Sequence, residues 1–116
     1  MSVVIYHNPR CSKSRETLAL LEENGVTPEV VLYLDADLNL ETLQGLYAQL
    51  GLPNVRAMMR TKEAIYKELN LGDEALTEQE LFNAMLENRK LIERPIVIAN
   101  GKARHGRPPQ QVLEIL

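Results

Sequence analysis

Residues 3–34, VVIYHNPRCSKSRETLALLEENGVTPEVVLYL, contain the pattern that decides the fold. Residues 3–6 are a short β-branched run that is typical of a buried strand. Apolar residues at helical spacing predict a helix over residues 14–24, and residues 29–34 are predicted to form a second strand. Because one helix joins the two strands, we predict a β-loop-α-β unit in which the strands are parallel neighbours.

The helix of this unit begins beside the single cysteine of the chain, Cys11. Asn8-Pro9 is a turn signal that ends the first strand. Ser12 and Ser14 are candidate N-caps, and Gly25 is placed to stop the helix. The cysteine is therefore predicted at a helix N-terminus, in a loop at the carboxyl end of the first strand.

The rest of the chain predicts further helices and then a return to strands. Asn39 and Gly51 frame an apolar helical pattern as cap and stop, and Thr77 opens a T-x-x-E capping box. Asn100-Gly101 favours a tight hairpin, because both residues tolerate positive φ. Predicted helices cover residues 40–50, 55–59 and 63–69 and the segments after Thr77 and after Pro108-Pro109, and predicted strands cover residues 96–99 and 103–105.

The order of these elements is β-α-β, then helices, then β-β-α. A small mixed sheet flanked by helices satisfies that order, so the predicted fold class is α/β. A length of 116 residues suits one hydrophobic core, and we predict a single domain over residues 1–116.

Composition excludes several classes of function. The net charge of −3 lacks the surplus of Lys and Arg that a nucleic-acid footprint requires. No apolar run approaches the ~20 residues of a membrane span, and the apolar start is too short for a secretory signal, so we expect a cytoplasmic protein. One cysteine permits no internal disulfide and, with two histidines, makes no recognisable metal site. Redox chemistry would need a thiol from another molecule.

The residues around Cys11 favour a thiolate and an anionic ligand. A helix N-terminus carries unpaired N–H groups and about half a positive charge, which stabilise both. Ser14 can donate a hydrogen bond to an oxyanion, and His7, at the strand end, could support the thiolate. Positive side chains in the loop are Arg10, Lys13 and Arg15. A lone cysteine is more often an inert packing residue, but this polar loop favours a reactive one.

Arginines further along the chain are candidates for binding an oxyanion, because a guanidinium offers fixed bidentate donors that match tetrahedral anions. Arg56 and Arg60 are four residues apart, on one side of a predicted helical segment. Arg94 and Arg107 bracket the predicted hairpin, and they could converge on Cys11.

Four segments, taken in order and at their separations, resemble the glutaredoxin-coupled arsenate reductase family. They are YHNPRCSKSRETL (residues 6–18), RAMMR (56–60), ERPIV (93–97) and GRPP (106–109). The resemblance covers essentially the whole chain and implies a thioredoxin-like fold with a helical insertion between the second and third strands. It implies reduction of arsenate to arsenite with glutathione and glutaredoxin, without a metal or a tightly bound cofactor.

The resemblance also assigns roles to residues. Cys11 matches the nucleophile that forms a covalent thiol-arsenate intermediate, and Pro95 matches a proline, usually cis, that precedes the third strand. The arginines around the oxyanion match Arg60, Arg94 and Arg107. His7 matches the family's histidine ahead of the cysteine, which helps to lower the cysteine pKa. The residues that we predict to support the thiolate are His7, Ser14 and Arg15.

Two alternatives stay open beside this interpretation. A thioredoxin-fold relative could use the same pocket for another oxyanion or for a glutathionylated thiol. A non-catalytic partner-binding module would need Cys11 only as a redox sensor. The chain has no CxxC, because Ser14 stands where a second cysteine would lie. Three arginines matched to one thiol favour an enzyme over a binding module.

Overall fold

The computed structural model describes residues 2–36 and 38–116, which form two compact units. The first unit combines the segment before residue 37 with residues 94–116, and the second comprises residues 38–93. The second unit is the helical insertion that the resemblance implied. The single domain over residues 1–116 stays a prediction.

The elements follow the predicted order of strand, helix, strand, helical middle and hairpin. The strands are β1 (Val3–Tyr6), β2 (Glu29–Val31), β3 (Ile96–Ala99) and β4 (Lys102–His105). The α-helices are α1 (Ser12–Glu23), α2 (Leu40–Leu50), α3 (Ala64–Glu68) and α4 (Glu78–Glu87). Short 3₁₀ helices cover Val55–Met58, Arg89–Leu91 and Pro109–Ile115.

The strands form one mixed sheet in the order β2-β1-β3-β4. β1 and β2 are parallel, as predicted, whereas β1–β3 and β3–β4 are antiparallel. Tyr6 at the end of β1 pairs with Ile96 at the start of β3, and Ile96 pairs with His105 at the end of β4. The segments that follow β1, precede β3 and follow β4 therefore meet at one end of the sheet.

The core of the first unit lies between the sheet, α1 and the C-terminal 3₁₀ helix. Its strand residues alternate along β1 and β3, as expected when one face of a strand is buried. The buried cluster is Val3, Ile5, Leu21, Val97, Ala99, Val112 and Ile115. Each buried Val, Leu or Ile side chain of this cluster contributes about 1.5–3 kcal/mol, so this packing holds α1 and its N-terminus against the sheet.

The second unit is helical, and its predicted caps are confirmed. The Asn39 side chain accepts a hydrogen bond at the start of α2, Gly51 ends that helix in the left-handed conformation at φ 64°, and Thr77 forms the capping box of α4. The helices α2 and α4 pack against each other, and the rings of Tyr47 and Phe82 meet edge to face at 5.7 Å.

The second strand is shorter than the predicted 29–34. It ends at Val31, and the Leu32 carbonyl accepts a hydrogen bond from the Asp35 N–H at 3.0 Å, so the chain turns. Tyr33 is buried while its apolar neighbours on both sides are exposed. The apolar run predicted a strand that continues to residue 34, but of residues 32–34 only Tyr33 is buried.

Two helical predictions in the chain also differ from the structure. The segment after Pro108 forms a 3₁₀ helix rather than an α-helix, and α3 is shorter than the predicted 63–69. Asn70 follows α3 with φ at 55°, a left-handed conformation that stops a helix. The tight hairpin is confirmed, because Asn100 and Gly101 have φ values of 55° and 76°.

Within residues 2–36 and 38–116, the helices lack the length and apolar character needed to cross a bilayer.

Candidate active site

Cys11 is the N-cap residue of α1, with an extended backbone at φ −94° and ψ 124°. The prediction of Ser12 or Ser14 as N-cap is therefore wrong, since both lie inside the helix. The Cys11 side chain is a free, partly exposed thiol. The cysteine thus occupies the position where a helix presents its unpaired N–H groups and positive dipole end.

A buried polar network fixes the start of α1 beneath the cysteine. Ser14 is fully buried, and its Oγ lies 2.6 Å from His7 Nδ1 and accepts the Asn8 N–H at 3.0 Å. The Cys11 N–H donates to the Asn8 carbonyl at 3.0 Å and closes the turn before the helix. Ser14 is thereby positioned so that its backbone N–H favours the charged form of the Cys11 sulfur.

Arg94 and Arg107 both lie at the cysteine. The Arg107 Nη2 donates to Cys11 Sγ at 3.6 Å, and the Arg94 guanidinium also hydrogen-bonds the sulfur. The two arginines are linked to each other, because Arg107 Nε donates to the Arg94 carbonyl at 2.8 Å. Arg94 precedes β3, and its peptide bond to the buried Pro95 is cis. The segments before β3 and after β4 therefore place two guanidiniums beside one thiol.

These surroundings change the acidity of the thiol. Burial by itself raises the pKa of Cys11, but the Ser14 backbone N–H, the Arg94 guanidinium and the Lys13 backbone N–H outweigh it. The net pKa of Cys11 lies below that of an ordinary cysteine. The thiolate, which is the nucleophilic form, is therefore enriched at neutral pH.

We expect alkylation of Cys11 by iodoacetamide to show a midpoint below the ~8.5 of a free thiol when its rate is followed against pH. A lowered pKa means that the thiolate persists as pH falls below the free-thiol value, so the rate at neutral pH should exceed that of the unfolded chain. Arg94→Met should move the midpoint upward, because it removes a group that favours the thiolate. A midpoint at or above that of the urea-unfolded protein would contradict the expectation.

His7 and Arg15 support the loop indirectly. Burial, together with the charge of Arg15, lowers the pKa of His7, so the ring is neutral at neutral pH and contributes no positive charge to the thiolate. The Arg15 Nη1 donates to the Pro9 carbonyl at 2.9 Å and ties the first turn of α1 to the preceding loop. Both residues hold the loop in which Cys11 lies, and their predicted support of the thiolate stays a prediction.

Arg60 belongs to the second unit. Its backbone N–H donates to the Leu91 carbonyl at 2.6 Å, and its Nε lies 3.6 Å from a carboxylate oxygen of Glu63. Its Nη1 is buried and has no hydrogen-bond partner among the described residues. The guanidinium therefore keeps an unused donor, and its predicted role in substrate binding stays a prediction.

Three residues shape the site beyond those with a predicted role there, namely Asn8, identified only as a turn residue, and Thr17 and Gly106. Asn8 supplies the turn bonds described above, and its Oδ1 accepts the Arg10 N–H at 3.0 Å. Thr17 is buried in α1 beside Gly106, which directly precedes Arg107. The Asn-Pro turn signal could have identified Asn8, whereas nothing in the local pattern marks Thr17 or Gly106.

Gly106→Ala is expected to destabilise the protein by about 1–3 kcal/mol, because a Cβ there would overlap Thr17 Oγ1 and lie 2.9 Å from Pro95 Cγ. Urea unfolding would measure the loss. Gly45→Ala is a matched control, since a Cβ at Gly45 in α2 meets nothing within 4 Å and alanine favours a helix. Equal stability of the two variants would contradict the close approach of Gly106 to Thr17 in α1.

Within residues 2–36 and 38–116, no group of three or more His, Cys, Asp or Glu side chains is placed to hold a metal ion.

Comparison with known proteins relates this chain to one sequence family. The sequence model described as the ArsC family matches residues 6–115. An arsenate reductase of Haemophilus influenzae is 57% identical over 116 residues, which cover all of both chains. An uncharacterised Escherichia coli protein, YfgD, is 64% identical over 114 residues, covering 98% of this chain and 96% of that protein.

Comparison with solved structures gives the same family relationship. An arsenate reductase from Vibrio cholerae has a TM-score of 0.98 and 68% sequence identity, with 100% of this chain and 98% of that chain covered. The fold is accordingly the thioredoxin-like α/β fold with a helical insertion, as predicted. With its cysteine at a helix N-terminus and its family pattern matched over nearly the whole sequence, the chain belongs to the ArsC family.

Proposed function

We propose that this protein is a cytoplasmic arsenate reductase that converts arsenate to arsenite, with glutathione and glutaredoxin as the source of electrons. The observation that carries the proposal is the pair of guanidiniums at a thiol of lowered pKa. Relatives that share 57% and 68% identity are named arsenate reductases, which supports arsenate as the substrate.

Binding of the oxyanion is the first step of the proposed reaction. Arg94 and Arg107 donate hydrogen bonds to arsenate oxygens and neutralise their charge, since guanidiniums match tetrahedral oxyanions. Arg60, with its unused buried donor, is proposed as the third arginine at the substrate. Arsenate held in this way stands directly at the sulfur, which converts the attack into an effectively unimolecular step.

Covalent attack by Cys11 follows. The thiolate sulfur bonds to arsenic(V), and one arsenate oxygen leaves as water after protonation. Glutathione then attacks the Cys11 sulfur of this thiol-arsenate adduct; the S–As bond breaks, its electron pair stays on arsenic, and arsenite departs. Two thiols have then supplied two electrons, arsenic(V) has become arsenic(III), and Cys11 and glutathione are joined as a disulfide. Glutaredoxin removes the glutathione as its own mixed disulfide and restores the Cys11 thiol.

A single protein thiol is sufficient in this scheme. Cys11 has no second cysteine in its own chain, so the second thiol arrives from solution as glutathione. The scheme requires no metal ion and no tightly bound cofactor.

The direct experiment is coupled turnover of arsenate with glutathione, glutaredoxin, glutathione reductase and NADPH. We expect arsenate-dependent oxidation of NADPH that requires every component. Phosphate, as an isosteric anion that the thiol cannot reduce, is the matched control. No turnover with arsenate, but reduction of a glutathionylated peptide, would overturn the proposal in favour of a different substrate. A protein that only gains glutathione on Cys11, without turnover, would be a redox sensor.

A further inference from the structure

A cavity adjoins the Cys11 loop and is separate from the arginine pair. It has a volume of about 380 Å³, within the ~300–1,000 Å³ of small-molecule sites. Residues 7–10 line it on one side, and Leu32, Leu34 and Asp35 line it on the other. Neither Arg94 nor Arg107 is among the described residues that line it. We call it the loop cavity.

The loop cavity has features that do not suit arsenate. Its volume is far larger than a tetrahedral oxyanion requires, and it presents one cation, Arg10, together with one anion, Asp35. Both side chains are exposed, and neither has a hydrogen bond or ion pair with another side chain among the described residues. A pair of opposite, unengaged charges matches a ligand that carries both an ammonium and a carboxylate rather than a simple oxyanion.

The third feature of the loop cavity is an apolar wall. Leu32 and Leu34 are 47% and 40% exposed, although Tyr33 between them is only 1% exposed. The turn after β2 therefore buries its central residue and directs two leucines outward into the cavity. Exposed apolar surface beside charged groups is characteristic of a binding site, where a ligand's hydrocarbon covers it.

The position of the loop cavity relates it to the reacting sulfur. Its wall runs from His7 to Arg10, and Cys11 is the next residue. The Cys11 N–H bond to the Asn8 carbonyl folds the cysteine back toward a lining residue. The cavity wall therefore ends one residue before Cys11 in a tight turn, whereas the two hairpin arginines at the sulfur lie outside its lining.

We propose that the loop cavity binds the thiol co-substrate as a short zwitterionic peptide, which is glutathione under the proposed function on which this inference rests. A peptide carboxylate pairs with Arg10, the ammonium group pairs with Asp35, and the hydrocarbon portion lies on Leu32 and Leu34. The thiol is thereby directed along the loop to the sulfur of the Cys11 adduct. Two reagents then occupy separate sites at one sulfur.

The test uses S-methylglutathione, which keeps the charges of the peptide but cannot react. Titration into the ¹⁵N-labelled protein should shift the amide signals of His7, Asn8 and Arg10 and of residues 32–35. Arg10→Glu should weaken the measured Kd by about fivefold or more, since it replaces an exposed attraction by a repulsion. Lys102→Glu makes the same change of charge at the start of β4, the end of the strand away from the Cys11 loop, and should leave the Kd unchanged. Leu34→Ser should also weaken binding, through loss of the apolar wall.

Coupled turnover separates this inference from the proposed function. Arg10→Glu should raise the KM for glutathione by the same factor, with the KM for arsenate within about twofold of the original. Shifts outside the loop cavity, or equal affinity of Arg10→Glu and Lys102→Glu, would overturn the inference even if arsenate is reduced. Binding at the loop cavity without arsenate reduction would sustain the inference and remove the proposed function.

Discussion

Cys11→Ser is expected to lower arsenate turnover by at least about 10³-fold, on the order of 4 kcal/mol in the activation free energy. A serine hydroxyl in the same loop is a far weaker nucleophile than a thiolate, and the neutral side chain of His7 is already engaged with Ser14. Turnover in the coupled assay measures the loss. Intact mass should show an adduct on the wild-type chain after arsenate and glutathione, and none on the variant.

Folding of the serine variant provides the control for this experiment. Serine is close to cysteine in size, so thermal unfolding and circular dichroism should change little while turnover disappears. A variant that still reduces arsenate would contradict a nucleophilic Cys11. Turnover that depended on a disulfide-linked dimer of the wild-type protein would equally contradict the single-thiol reaction.

Arg94→Ala and Arg107→Ala are each expected to reduce kcat/KM for arsenate by at least about tenfold, or ~1.4 kcal/mol. Each variant removes a guanidinium that contacts the reacting sulfur and that is proposed to hold the oxyanion. Arg94→Ala should in addition raise the alkylation midpoint of Cys11, so its effect should be the more pH-dependent of the two. Arg60→Ala should lower kcat/KM for arsenate by a comparable factor, because its buried donor is proposed to bind the substrate.

A nearby arginine on the same hairpin supplies the matched control. Arg104 donates to the carbonyl of Ala103 and lies 3.4 Å from a Glu114 carboxylate oxygen, so Arg104→Ala should change kcat/KM by less than about twofold. Arg56 donates to the Leu71 and Asp73 carbonyls, so its replacement should lower stability rather than activity. Equal kinetic losses at all of these positions would indicate a general effect of charge instead of a binding site.

Much of the fold could be predicted from local sequence. The β-branched run at residues 3–6, the cap at Asn39, the capping box at Thr77 and the Asn100-Gly101 turn each satisfy a local backbone requirement, so each predicted element formed. The end of β2 could not be predicted in this way. Its apolar pattern continues to residue 34, and only the tertiary packing that buries Tyr33 turns the chain.

The site was predictable to a similar extent and for similar reasons. The position of Cys11 at a helix N-terminus follows from the strand, the turn and the helix pattern, and the hairpin suggested that Arg94 and Arg107 could reach it. The exact cap was missed because serine is the commoner N-cap, whereas Ser14 is used here in a buried network with His7. The loop cavity depends on which leucines face outward, which periodicity alone does not determine.

The separation of Cys11 from its arginines along the chain has a consequence for the newly synthesised protein. The hydrogen bond from Arg107 to the sulfur spans 96 residues, and β1 pairs with β3 only after the whole helical insertion has been made. The ribosome synthesises Cys11 early and Arg94 and Arg107 late. The thiol of the nascent chain therefore lacks, at first, the guanidiniums that favour its ionised form. Pairing of the last hairpin with β1 therefore brings the guanidiniums to the thiol and completes the nucleophile together with the sheet.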